Sequence, residues 1–298
     1  MALSKLSGDE QGILFVQLCN VLDPGIAVAL SSVNNELRTA TRAPLQQLKA
    51  GHEAAAALCR KLGHRNCKAL REAKTVQWVG KGLTADELKL LGTLGSVLPA
   101  LEELTLWEPA AGPDGVQQLA AGLGAGALPA VAVLRIFFVM HVGDAGASTT
   151  LAAALGQGAL PRLKTLVLDS AAIGDAGLVA LAPALRQRPA LERLCVYGSR
   201  IGDEGLAALV APPPPTGAPP PTTGGLTMLK ALDPRRTLIT DAGCATLTAA
   251  LDSGALPALE RLYLDFMPAS AAAKAAVYEA RASLNEEDEE SEDEESGS

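Results

Sequence analysis

The chain has 298 residues, long enough to bury a large core, and its formal net charge is −8. Nine acidic residues lie between positions 286 and 295 and contribute −9. The rest of the chain therefore carries a net charge of +1 and is close to neutral. No apolar run reaches the roughly 18 residues that a membrane helix requires, so we expect no membrane span.

Cysteine usage and the start of the chain indicate a reducing compartment. The first residues lack the apolar core of a secretory signal, and the cysteines follow no framework spacing. We therefore expect free thiols and a cytoplasmic or nuclear location. The five cysteines are Cys19, Cys59, Cys67, Cys195 and Cys244.

Residues 1–45 predict a group of short helices. Leu14, Phe15 and Leu18 share one helical face, and Asp23 opens an Asp-Pro-Gly turn. The segment resembles an F-box, the helical module that docks onto the linker subunit of cullin–RING ubiquitin ligases. The resemblance rests on Leu6, Asp9, Glu10, Leu14, Phe15, Leu18, Asp23, Pro24, Leu30, Val33 and Arg38.

Two positions depart from that family, which favours Pro at Ser7 and Trp at Leu37. The alternative interpretation of residues 1–45 is a helical cap that closes the first unit of a repeat, as every solenoid needs.

Residues 46–69 predict a linking helix or cap, within a helix that has Pro44 in its first turn and ends at Gly63. We expect no metal site there, because the His and Cys side chains do not converge on one point. A basic run without interleaved aromatics follows, which favours a solvated surface over nucleic-acid binding. The run comprises Arg60, Lys61, Arg65, Lys68, Arg71, Lys74 and Lys81.

From about residue 70 a phrase of strand, turn and helix recurs, most clearly at residues 160–188. Leucines alternate in a short extended stretch, then come a Gly-Asp-x-Gly turn and leucines at helical spacing. The apolar period therefore changes from about 2 to about 3.6 residues within one phrase. Such copies predict a solenoid. Their matching positions are Ala73, Leu101, Val131, Leu163, Leu191, Leu229 and Leu259.

These copies resemble the ribonuclease-inhibitor type of leucine-rich repeat over residues 70–284. The resemblance implies an α/β solenoid with parallel strands on a concave face, helices on a convex face and an all-α N-terminal cap. The family usually has Asn or Cys at the position of Ala171, bonded to loop backbone; no copy has either here, which predicts looser loops. The last copy keeps the strand and loses the turn, and Ser270 is a candidate N-cap for a final helix.

Two further segments interrupt or end the solenoid. Residues 211–225 are rich in Pro and predict a tolerated surface insertion, with a ligand for a proline-reading domain as the alternative. Pro234 occupies an inward strand position and cannot donate a ladder hydrogen bond, so we expect the sheet to be weakest there. Residues 285–298 are acidic and polar, which predicts a disordered tail.

Catalytic motifs are missing from the sequence, and we predict no enzyme activity, no cofactor and no metal. The predicted site is a protein-binding surface made by strand residues that point away from the leucines. In the first segment the predicted docking residues are Leu14, Phe15 and Leu18. On the concave face they are Trp107, Arg135, Phe137, Tyr197, Arg235 and Tyr263.

These observations favour a protein-interaction scaffold, monomeric, that recruits substrates to a cullin–RING ligase. Residues 6–38 would dock on the linker subunit and the concave face would select the partner. One alternative is a regulator like the activator of the GTPase Ran, which also joins such repeats to an acidic tail, although no arginine here matches that family's functional one. The other is a leucine-rich repeat binding protein with no ligase link.

Overall fold

The computed structural model describes residues 20–33, 35–108, 111–137, 145–169, 173–210 and 225–284. Within these ranges, four helices precede the first strand. They are α1 (Gly25–Ser31), α2 (Asn35–Ala40), α3 (Arg42–Lys61) and α4 (Cys67–Glu72). The predicted docking residues Leu14, Phe15 and Leu18 lie outside the described residues, as do most of the Pro-rich insertion and the acidic tail.

Strands and helices then alternate to the end of the described chain. The strands are β1 (Thr75–Val79), β2 (Glu103–Trp107), β3 (Val133–Phe137), β4 (Thr165–Asp169), β5 (Arg193–Cys195), β6 (Ala231–Asp233) and β7 (Arg261–Leu262). The helices between and after them are α5 (Ala85–Leu94), α6 (Gly112–Gly122), α7 (Ala145–Gly156), α8 (Asp175–Arg186), α9 (Asp203–Val210), α10 (Asp241–Asp252) and α11 (Ala271–Ala280).

Each strand pairs in parallel with the next one, so one seven-stranded sheet follows the order of the chain. Side chains alternate along the strands: Leu104 and Leu106 are buried, whereas Thr105 is partly exposed and Trp107 exposed. The buried side chains join those of the helices in one continuous core. A parallel sheet with a helix returning on the same side after each strand is a leucine-rich repeat solenoid, as the sequence predicts.

Aspartates at the helix starts hold neighbouring repeats together. The carboxylate of Asp175 accepts hydrogen bonds from the backbone N–H groups of Gly202 and Gly205, at 2.7 and 2.8 Å. Asp203 likewise accepts from the N–H and hydroxyl of Thr240, at 2.8 and 2.7 Å. Asp241 binds Ser270 in the same way, at 2.6 and 2.9 Å.

These hydrogen bonds hold the loops that the sequence predicts to be looser than in the family. At the start of the sheet a glutamate bonds the loop instead of an aspartate. Glu108 is buried, and its carboxylate accepts hydrogen bonds from the backbone N–H groups of residues 81–83 at 2.6, 2.9 and 3.2 Å. Near the end, the hydroxyl of Thr237 donates to the carbonyl of Pro234 at 2.6 Å. Carboxylates and hydroxyls therefore bond the loop backbone in these copies, which have neither Asn nor Cys.

The last copy keeps its helix although its sequence lacks the Gly-Asp-x-Gly turn. Ser270 caps α11 by accepting a hydrogen bond from the backbone N–H of Ala273, as predicted. The carboxylate of Asp241 in the preceding repeat holds that same serine. The neighbouring repeat therefore supplies part of the turn that the local sequence has lost.

Helices α3 and α4 cover the open end of the core at β1. Leu58 and Leu70 are buried in the same core as Trp78, whose ring meets that of His64 edge-on at 6.1 Å. Lys61 fixes α3 to the first repeat through Glu87 on α5, at 2.6 Å. Leu22, from the segment before these helices, belongs to the same core.

Candidate binding face

The candidate site is the surface of the sheet opposite the helices, which we call the open face. Two columns of outward side chains cross it, one residue per strand. The inner column contains Gln77, Thr105, Arg135, Val167, Cys195, Asp233 and Tyr263, and the outer column contains Val79, Trp107, Phe137, Asp169, Tyr197, Arg235 and Asp265. The strand register pairs the residues of both columns over β1–β4, as the alignment of the sequence copies predicts. For the inner column the pairing continues to β6.

An apolar band occupies the first three strands of the outer column. Val79 pairs with Trp107, and Trp107 pairs with Phe137. Val79 and Trp107 are each 47% exposed, and Phe137 is half-buried. Beside the band, Arg135 forms an ion pair of 3.5 Å with Glu103 of the neighbouring strand. The band is therefore a solvent-exposed apolar surface with a charged neighbour.

An arginine–aromatic cluster occupies the other end of the face. The guanidinium of Arg235 lies 4.8 Å from the ring centre of Tyr263 and 5.8 Å from that of Tyr197. The guanidinium of Arg236 lies 5.4 Å from both the Tyr197 ring and the Phe266 ring. Such distances allow cation–π attraction, which holds both arginines against the aromatic rings.

Arg236 and Phe266 were missed by the sequence analysis. Both take the left-handed conformation, each with φ of 55°, in a turn slot that Gly80 and Gly198 occupy in other repeats, with φ of 58° and 66°. Left-handed backbone is costly for residues with a side chain. Phe266 nevertheless is 72% exposed. The glycines at two aligned positions were the sequence signal that the backbone of this slot is left-handed.

Two predicted site residues are less accessible than expected. Tyr263 is only 8% exposed, because the side chain of Arg235 lies over its ring. Arg235 is itself bound to Asp233, through contacts of 3.0 and 2.9 Å to the two carboxylate oxygens. Tyr263 and Arg235 therefore support the cluster, while Arg236 and Phe266 form its exposed edge.

Between the apolar band and this cluster lies an acidic centre. The thiol of Cys195 donates to Asp169 at 3.0 Å and lies 3.6 Å from a carboxylate oxygen of Asp233. Burial raises the pKa of the Asp169 carboxyl above its ordinary value, and the Cys195 hydrogen bond opposes that rise. Burial and the two nearby carboxylates raise the pKa of the Cys195 thiol, so it stays protonated and unreactive.

Ion pairs occupy much of the predicted basic run. Lys68 pairs with Glu72 and Lys74 with Glu102, at 3.8 and 3.0 Å. Lys61 and Arg71 pair with acids of other elements, Glu87 and Asp23. These ion pairs neutralise much of the positive charge that nucleic-acid binding would require.

The structure also shows what the histidine and cysteine side chains near this basic run contact. The sulfurs of Cys59 and Cys67 lie 3.7 Å apart in the core, whereas the ring of His52 meets the carbonyl of Val21 at 2.7 Å. Among the described residues, no group of three or more His, Cys, Asp or Glu side chains is placed to hold a metal ion. Within the same ranges, no helix combines the length and apolarity needed to cross a membrane.

No protein-family model matches the chain, and no curated protein sequence matches it significantly. Solved leucine-rich repeat structures do resemble it. An internalin from Listeria monocytogenes str. 4b F2365 aligns over 78% of this chain and 93% of its own, with 10% identity and a TM-score of 0.27. The TLR13–ssRNA13 complex aligns over 73% of this chain and 32% of its own, with 14% identity and a TM-score of 0.31.

A Leptospira interrogans leucine-rich repeat protein aligns over 66% of this chain and 68% of its own, with 14% identity and a TM-score of 0.20. All three similarities are weak, so the assignment of the fold rests on the strand register and the repeat pattern described above.

Proposed function

We propose that this chain is a protein-interaction scaffold whose open face binds another protein. One observation carries the proposal: large apolar side chains that the core does not require stay exposed on the open face and at its edge. Trp107 is 47% exposed on β2, and Phe266 is 72% exposed in the turn after β7, with the Arg236 guanidinium 5.4 Å from its ring centre. Exposed aromatic and arginine side chains supply most of the binding energy in protein interfaces.

The test measures the affinity of a purified partner for point variants of the open face. Trp107→Ala and Tyr197→Ala should each weaken binding by about 1–3 kcal/mol in calorimetric titration. Thermal unfolding should change little, because neither side chain is part of the buried core.

The matched control is Val179→Ala on helix α8, whose side chain is 38% exposed on the opposite surface. It should leave the affinity unchanged. Equal losses for Val179→Ala and Trp107→Ala would show that the open face is not the site.

We further propose that residues 6–38 dock the linker subunit of a cullin–RING ligase, which would make the scaffold a substrate-recruiting adaptor. Exposed apolar side chains around α1 support this interpretation over the helical cap. Ile26, Val28 and Val33 are 56%, 45% and 67% exposed. Because these side chains face solvent, they are available to contact another chain.

Glutamate substitutions in this exposed patch test the adaptor role. Ile26→Glu and Val33→Glu should abolish binding to the purified linker subunit without unfolding the chain, since both side chains face solvent. Val179→Glu on α8 introduces the same charge at another exposed valine and should have no effect. If the unchanged protein does not bind the linker subunit, the adaptor role is wrong and the scaffold function remains.

The remaining assignments are part of the same proposal. We assign the repeats to the ribonuclease-inhibitor type because full helices return behind the strands, and the chain to a non-enzymatic monomer of the cytoplasm or nucleus. The division into residues 1–45, 46–69, 70–284 and 285–298 belongs to it as well. A GTP-hydrolysis assay with Ran separates the GTPase-regulator alternative, which predicts acceleration where the scaffold predicts none.

A further inference from the structure

The outer column of the open face changes its chemical character in a fixed order. Apolar side chains occupy β1–β3, ending at Phe137. The next strand places Asp169 directly beside Phe137. After Tyr197 the column reaches Arg235, and Arg236, the next residue along the chain, is exposed beside it. From β1 to the end of β6 the order is therefore apolar, negative, positive, and the exposed Asp265 ends the column.

Asp169 has binding capacity left over. Its carboxylate accepts a hydrogen bond of 3.0 Å from the Cys195 thiol. A carboxylate has about four acceptor positions, so most remain unused. Among the described residues, Asp169 has no ion-pair partner within 4.0 Å.

The surroundings of Asp169 suit a cationic side chain. Phe137 lies on the strand before it, and Tyr197 follows the strand after it. Aromatic faces attract cations and exclude water from them. Burial and the nearby carboxylate of Asp233 raise the pKa of this carboxyl, and the positive charge of Arg235 offsets that rise only in part. An entering cation would compensate the remaining negative charge.

Arg236 offers the opposite charge. Unlike Arg235, which Asp233 holds on both oxygens, Arg236 forms no ion pair with any described residue. The Tyr197 and Phe266 rings hold its guanidinium by its face. This leaves the N–H groups at its edge for an incoming carboxylate, which guanidinium binds in a fork geometry.

We propose that the open face takes a segment of another protein that presents an apolar, then a basic, then an acidic side chain, in that order from β2 towards β6. This inference rests on the proposed scaffold function and specifies its partner. Adjacent strands lie about 4.8 Å apart. The basic group at Asp169 therefore follows an apolar group at Phe137 by about 5 Å, or one at Trp107 by about 10 Å, and the acidic group at Arg236 follows by about 10 Å more.

Asp169 and Arg236 then act as specificity-determining residues. A segment bound in the reverse direction, or one with exchanged charges, sets an acid against Asp169 and a base against Arg236. Like charges in such positions are rejected even where apolar contacts are available. The apolar band provides affinity, and the two charges decide which partner binds and in which direction.

A displayed library of random peptides, about twelve residues long, selected on the full-length protein tests this. Twelve extended residues reach about 40 Å, enough to cross these strands. Peptides enriched on the unchanged protein should carry the apolar, basic, acidic order. The best of them should bind Asp169→Asn about tenfold more weakly through loss of the basic-residue contact, and Arg236→Gln about tenfold more weakly through loss of the acidic one.

The control is Asp252→Asn, which removes the same charge at an exposed position at the end of helix α10 and should leave binding unchanged. Asparagine at position 169 can still accept the hydrogen bond from the Cys195 thiol, and thermal unfolding of each variant verifies folding. Asp169→Ser provides a second, smaller replacement with the same expected loss.

The outcomes separate the two levels of the proposal. Peptides that lose affinity with Trp107→Ala but not with Asp169→Asn or Arg236→Gln would overturn the charge order and leave the binding face intact. Peptides indifferent to all three substitutions, or no enrichment on the unchanged protein, would overturn both.

Discussion

At the residue scale, the aspartates that bridge the repeats explain the glycine of the Gly-Asp-x-Gly turn. A Cβ atom on Gly243 would lie 2.3 Å from Oδ1 of Asp203, and one on Gly205 would lie 2.7 Å from Oδ1 of Asp175. Neither glycine has a positive φ, so closeness to the preceding repeat's carboxylate, not backbone conformation, requires glycine there.

Gly243→Ala should therefore lower the free energy of unfolding by about 1–3 kcal/mol, because the methyl group displaces a carboxylate with two hydrogen bonds. Denaturant unfolding measures the change. Gly156→Ala is the control: nothing lies within 4 Å of its Cβ position at the end of α7, and alanine there should stabilise by about 0.5–1 kcal/mol. Changes of the same sign at both positions would contradict the role of Asp203.

The ionised carboxylate of Asp169 should lower the free energy of unfolding at neutral pH. Burial raises the pKa of its carboxyl above the unfolded value, so between these two pKa values the folded protein binds the proton more readily. Its contribution to stability therefore falls as pH rises through that window, and stays lost above it. Asp169→Asn should unfold at the same or a higher temperature than the unchanged protein near pH 7, with the difference shrinking towards about pH 4.

The measurement is thermal unfolding of both proteins across that pH range. A variant that is less stable near pH 7 would show that the carboxylate stabilises the fold, and Asp169 would then be a structural residue. Higher stability together with weaker peptide binding is the behaviour expected of a residue kept for binding.

Sequence reasoning placed Trp107 and Phe137 correctly because strand alternation alone decides which side chains point outward. It overestimated the exposure of Tyr263, since alternation does not reveal that Arg235 lies over the ring. The missing Asn led to the prediction of looser loops, although the sequence repeats an aspartate at Asp175, Asp203 and Asp241. The sequence alone does not show that each of these carboxylates forms hydrogen bonds with the next repeat.

At the element scale, the strands shorten along the solenoid. Strands β1–β4 have five residues each, β5 and β6 have three, and β7 has two. Pro234 follows β6 directly and is buried. The lack of an N–H group at Pro234 agrees with the end of the ladder at that point, in the region where the sequence analysis expected the weakest sheet.

Amide hydrogen exchange should therefore be faster in β5–β7 than in β1–β4, since fewer ladder bonds must open together. Pro234→Leu restores the residue type found at the equivalent Leu168 and should slow exchange in β6 and β7. Uniform protection along the sheet, or no response to Pro234→Leu, would contradict this explanation of the short strands.

At the scale of the whole molecule, α3, α4 and Leu22 cover the start of the core, whereas Ile26, Val28 and Val33 around α1 are exposed. The sequence analysis could predict the solenoid because seven copies reinforce one another. It could not decide between cap and docking module, because short apolar helical patterns look alike until their exposure is known.

The central claim is that the open face, and not the helix surface, binds the partner, and the two tryptophans provide its most direct test. Trp78 is 1% exposed in the core, whereas Trp107 is 47% exposed on the open face. In protein labelled with 5-fluorotryptophan, fluorine NMR should give two resonances, which Trp107→Phe assigns. Addition of the purified partner should shift the Trp107 resonance and leave that of Trp78 in place. A bound partner that leaves the Trp107 resonance unmoved would contradict the claim.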